Sequence, residues 1–108
     1  MDNNPLWVIE TKHIDPNDFY VKVDGSPFYT AYWVARSADK KGVELLLINV
    51  ISDLVLGKHE VISISHPDVN FVVGNSEINS RVNDGFGMLS GAEDIQLAAW
   101  ITVKGGLW

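Results

Sequence analysis

Three histidines, fourteen carboxylate side chains and no cysteine set the limits of the chemistry open to this 108-residue chain. A metal site needs donors that converge on one point, but His59 and His66 have opposite parity on an extended strand and Pro67 disturbs its end. Only a bend would bring His59, Glu60, His66 and Asp68 together, so no metal ion is expected. Nucleophilic catalysis would need a serine beside a positioned histidine. Ser63, Ser65 and His66 are close in sequence, but neighbours in an extended chain point to opposite faces, and no Gly-x-Ser-x-Gly elbow is present. Fourteen acids allow many glycosidase-like pairs, and spacing favours none of them. The stretch NDGFGMLSG lacks the Gly-Lys-Ser/Thr ending of a phosphate-binding loop and the strand-to-helix setting of a dinucleotide fingerprint. No cofactor and no enzymatic activity are therefore expected, and a small hydrolase using the acids with His59 or His66 is a third reading.

Charge points elsewhere. Fourteen Asp and Glu against eight Lys and Arg give a formal charge of −6, which repels phosphate backbones and anionic lipid, so neither nucleic acid nor membrane is an expected ligand. Residues 1–24 carry five acids and two lysines, and residues 76–108 carry four acids, one arginine and one lysine, so the two ends hold −3 and −2 of the total. If these ends lie together they form a negative face. The candidate contact residues are Asp15, Asp18 and Asp24, which flank an early strand, and Asp84, Phe86, Glu93 and Asp94 on or near a glycine-rich segment. Trp33 and Trp100 fall inside apolar strands and are read as core groups.

These residues need a scaffold. Val and Ile number 22 against 17 for Leu, Ala and Met, and β-branching favours the pleated sheet over the helix. Candidate strands cover 6–11, 19–23, 28–36, 43–51, 60–65, 69–73 and 95–103, with SADKKG as the turn of a hairpin between the third and fourth. Val43 to Leu54 is ambiguous, because Val43, Leu46, Leu47, Val50, Ile51 and Leu54 also form a helical stripe; β-branching and the turn-like Asp39 to Gly42 favour strand. In the last strand, Ile95, Leu97, Ala99, Ile101 and Val103 lie on one face and Gln96, Ala98, Trp100, Thr102 and Lys104 on the other. That alternation makes Ile101→Asp a severe change and Thr102→Asp a mild one.

The expected fold is mainly β, one globular domain over 1–108: an antiparallel sandwich or a strongly curved sheet of about six to eight strands, with one short helix or long loop near 75–91. The expected core is Phe19, Val21, Trp33, Val34, Leu45, Leu47, Ile62, Ile64, Phe71, Leu97, Ala99 and Ile101. The longest apolar run is far too short to span a membrane, no secretory signal opens the chain, and cysteine is absent, so a reducing cytoplasm is expected. An acidic, cysteine-free domain without a catalytic constellation suits protein binding. The leading expectation is a stoichiometric inhibitor, such as an immunity protein that neutralises a basic toxin, for example a nuclease delivered between bacteria. The alternative is a structural subunit of a phage or homo-oligomer whose strand edges pair with copies of itself.

Overall fold

The computed structural model describes residues 5–15, 25–54, 56–65, 76–89 and 94–102. Its elements are β1 (Leu6–His13), β2 (Tyr29–Arg36), α1 (Lys40–Asp53), β3 (His59–Ser65), α2 (Ser76–Met88) and β4 (Ile95–Thr102). The strands form one open antiparallel sheet in the order β3-β1-β2-β4. The two helices pack against opposite faces of it. The sandwich of six to eight strands is thus replaced by a single sheet with four strands among the described residues. The expected strands at 19–23 and 69–73, with Phe19, Val21 and Phe71, lie outside those residues.

The reason is α1, which occupies the stretch read as a hairpin strand. Val43, Leu47 and Ile51 recur at four-residue intervals and are buried, with Leu46 and Val50 packed alongside. Each such burial stabilises by about 1.5–3 kcal/mol, against a helix-propensity penalty of about 0.5 kcal/mol per β-branched residue, so packing outweighs propensity. Asp39, read as part of a turn, is the N-cap: its Oδ1 accepts the Gly42 N–H at 2.8 Å. Leu45, expected in the core, is 57% exposed because it lies off the buried stripe.

Of the short helix or long loop expected near 75–91, the structure has a helix, α2 of 13 residues, which runs through Gly85 and Gly87. Gly85 is there for contact: a Cβ would stand 3.0 Å from Val34 Cγ2 and 3.3 Å from the Ala98 Cβ, so its missing side chain lets α2 lie directly on β2 and β4. Ile78, Val82 and Leu89 join Val8, Tyr32 and Val34 in the core on this side. The other side holds Ile9, Tyr29, Ala31, Trp33, Ala35 and Trp100 under α1.

Both outer strands carry a bulge, and each bulge overturns a reading by alternation. In β4, Tyr32 pairs with Ala99 but Trp33 pairs with Leu97, leaving Ala98 as the extra residue. Leu97 and Trp100 therefore both face α1, while Ile101 packs on the α2 side, so the expected single apolar face does not exist. In β3, Thr11 pairs with Val61 and Glu10 with Ser63, which leaves Ile62 as the extra residue at 51% exposure. Ile62 is thus no core residue, although Ile64 packs against the α1-side core. Trp33, Val34, Leu47 and Ala99 are buried as expected, and Leu97 and Ile101 are partly buried.

Among the described residues no helix is long and apolar enough to cross a membrane. The sheet also reverses the expected pair of β4 substitutions: Thr102, opposite Tyr29, is only 4% exposed, while Ile101 is half-buried. Thr102→Asp is expected to destabilise at least as much as Ile101→Asp, each by several kcal/mol. Urea denaturation of the two variants checks this. Val replacing Gly85 is expected to cost about 1–3 kcal/mol in the same assay, by forcing α2 off the sheet.

Candidate functional site

His13 and His59, far apart in sequence, are brought together by the β1–β3 ladder, in which they pair directly. Their rings stack with centroids 5.8 Å apart, and His13 also stacks on Tyr29 at 4.7 Å and 9°, with Trp33 tilted beside it at 6.3 Å. His13 is fully buried. Its Nε2 lies 2.6 Å from Thr11 Oγ1, and the same hydroxyl oxygen accepts the Trp33 indole N–H at 2.8 Å. Its Nδ1 has no hydrogen-bond partner, so in either tautomer one ring nitrogen is buried unpaired. Burial, reinforced by His59, lowers the His13 pKa to about 4 and holds the imidazole neutral at pH 7.

A hydroxyl within 2.6 Å of an imidazole has the elements of a nucleophile and base. Here Thr11 and His13 are both 0% exposed, so the pair has no route to a substrate and acts as core. Among the described residues no group of three or more His, Asp and Glu side chains could hold a metal ion. His59 is half-buried, and its Nδ1 lies 3.0 Å from the Gly57 carbonyl oxygen. No pattern in the sequence announces the His13–His59 pair, because it depends on the register of two strands 46 residues apart (59 − 13).

The described acids do not form one face. Asp15 follows β1, where its Oδ2 accepts the Lys58 N–H at 3.4 Å. A Cβ on Gly57, whose φ of +69° suits glycine, would overlap that carboxylate. Asp15 thus fastens the entry to β3. Asp94 precedes β4 and accepts the Arg36 backbone N–H at 2.8 Å through its carbonyl, at the opposite end of the strands. The length of β1 puts about 24 Å between these ends. Asp84 is exposed on α2 and reaches the same Gln96–Leu97 stretch of β4 that Asp94 approaches from the α1 side. Phe86 is half-buried against the α2-side core, so its ring is largely a packing group. Asp18, Asp24 and Glu93 lie outside the described residues.

Exposed large apolar groups occur along α1, at its C-cap and in β3: Leu45, Ile48, Leu54, Val61 and Ile62 are 45–60% exposed. The same elements and the turn before β3 carry the exposed acids Glu44, Asp53 and Glu60 and the exposed lysines Lys40, Lys41 and Lys58. Two grooves flank α1. One, of about 340 Å³, lies against β3 and is lined by Glu44, Leu47, Ile48, His59, Val61 and Ile64. The other, of about 360 Å³, lies against β4, with Trp33, Leu46, Val50 and Leu97 as apolar lining and Asp53 and Asp94 as acids. Sequence reasoning missed this surface because it assigned Leu45 to the core of a strand. Comparison with protein-family models, with curated proteins and with solved structures gives no significant match to this chain.

The His13 pKa sets an expected pH dependence. The unfolded chain takes up the proton near pH 6.5 and the folded chain only near 4. The stabilisation is therefore complete above pH 6.5 and declines as pH falls towards 4. From pH 7.5 to 5, this group should remove about 2 kcal/mol of stability. Chemical denaturation across that range should show a loss smaller by this amount in His13→Phe, which cannot titrate. Parallel profiles for the two proteins would contradict the burial of a neutral imidazole.

Proposed function

We propose that this chain is a protein-binding domain for a partner with a basic surface, acting as a stoichiometric inhibitor in the way an immunity protein neutralises a basic toxin. One observation carries the reading: exposed apolar side chains share the grooves flanking α1 with exposed acids, Ile48 and Val61 with Glu44 on one side and Leu54 with Asp53 and Asp94 on the other, on a chain of net charge −6. An apolar centre within a charged surround is the anatomy of a protein interface, in which contact area slows release and opposite charge speeds encounter. The contact then centres on α1 and β3, with Asp94 at its β4 margin, and Asp15 contributes by holding the turn before β3. Such a role needs no metal, cofactor or turnover, and it is compatible with a bacterial cytoplasm.

A second reading rests on β3 itself. It is an outer strand of the described sheet, its exposed Val61 and Ile62 lie mid-strand, and it contains neither Lys nor Pro. Unblocked edges of this kind pair with other strands, as an assembly subunit or homo-oligomer would use them. A stable ring or large multimer of the isolated chain in light scattering would favour this reading.

Kinetics separate the two parts of the binder reading. With a partner isolated from the native cell, Glu44→Gln combined with Glu60→Gln should slow association severalfold and flatten its dependence on salt. Ile48→Ala should leave association nearly unchanged and speed dissociation about tenfold or more. A partner with an acidic surface, or rates indifferent to all three changes, would defeat the proposal.

A further inference from the structure

The groove between α1 and β4 carries negative charge from two exposed carboxylates and one helix end, set around an apolar lining. Asp53 closes α1 in its last turn, at the negative end of the helix dipole, where the Leu54 and Leu56 backbone N–H groups already cap the Val50 and Ile51 carbonyls. An acid is the unfavoured residue type at that end, and the last turn holds no basic residue to offset it. Asp94 faces it from the start of β4, and both carboxylates are exposed. Neither forms an ion pair among the described residues. Arg36, whose backbone N–H bonds the Asp94 carbonyl, alternates along β2 with Ala35 of the α1-side core. Between the acids, Trp33, Leu46, Val50, Ile95 and Leu97 supply apolar lining, and Leu54 is 45% exposed.

We propose that this groove receives an arginine side chain of the partner, its methylene stem against the apolar lining and its guanidinium at Asp53, Asp94 and the end of α1. The inference rests on the reading of the chain as a binder of a basic protein, and it names the element of that partner which the site selects. A guanidinium suits the place better than an ammonium, because it is more weakly hydrated and its planar fork of five donors can serve two carboxylates at once. A long stem with a charged tip also matches a groove that is apolar below and acidic at its rim. The last turn of α1 holds no basic residue, so a guanidinium in the groove supplies the charge that Asp53 lacks beside it, and a locally unfavourable residue contributes to recognition.

The test uses n-butylguanidinium as a probe of the full chain, followed by backbone amide NMR, with n-hexanol and butylammonium in parallel. Shifts should concentrate at residues 49–54 and 94–97, with millimolar affinity, and butylguanidinium should bind more tightly than either control. The double variant Asp53→Asn, Asp94→Asn should weaken binding at least fivefold. It should also unfold at an equal or higher temperature, because Asp53→Asn removes a charge that opposes the helix end. Shifts centred elsewhere, equal binding of n-hexanol, or unchanged affinity of the double variant would overturn the proposal. The isolated partner then distinguishes the two levels. Equal binding of a basic partner to the wild type and the double variant defeats the arginine groove and leaves the binder reading intact. An acidic partner defeats that reading and the arginine assignment with it.

Discussion

From Ala31 to Ala35 every residue of β2 is buried, so both faces of this strand must be covered by helices and both its edges by other strands. That requirement orders the rest of the described structure. β1 and β4 take the two edges, α1 covers Ala31, Trp33 and Ala35, and α2 covers Tyr32 and Val34. Apolar side chains at both parities of one strand would otherwise remain in water, and each large one would forfeit about 1.5–3 kcal/mol. The closeness of the α2 layer follows as well, since Gly85 rests against Val34.

Covering β2 so fully seals polar groups beneath α1. The Trp33 indole N–H must find an acceptor in the core and finds Thr11 Oγ1, which in turn engages His13. Stacking on Tyr29 and His59 packs both faces of the His13 ring, while its Nδ1 goes without a partner. A buried histidine of this kind contributes packing at neutral pH and becomes a liability in acid, because its charged form has neither solvent nor counter-ion.

What the sheet does not need is left on the outside. α1 buries one stripe and retains Leu45 and Ile48 on its exposed side, and the bulge in β3 turns Ile62 outward while keeping His59, Val61 and Ile64 on the α1 side. Exposed apolar groups scattered singly are ordinary on a protein surface; here they fall on one helix, its C-cap and one outer strand, and this is the surface on which the proposed binding rests.

The sequence by itself determined the apolar content that demands a core, the strand character of 6–11, 28–36, 60–65 and 95–102 and the double-faced burial of β2, and it left the segment before β4 as a short helix or a long loop. Local signals suffice for these, since alternation, β-branching and glycine breaks act within a few residues. Three matters were decided only by tertiary structure. Residues 43–54 satisfied strand and helix patterns alike, and Asp39 reads equally as a turn residue or an N-cap; the exposed α1-side face of β2 settled the choice, because a helical stripe of Val43, Leu47 and Ile51 covers it. The parity of β3 and β4 changed at bulges that depend on the partner strand and leave no local trace, which is why Leu97 and Ile101 separate and Ile62 leaves the core. The neighbours of the acids were also set by folding: the ladder places Asp15 and Asp94 at opposite ends of the strands and joins Asp94 with Asp53 across a groove. Charge along a chain gives the total field, whereas its arrangement depends on which ends the strands bring together.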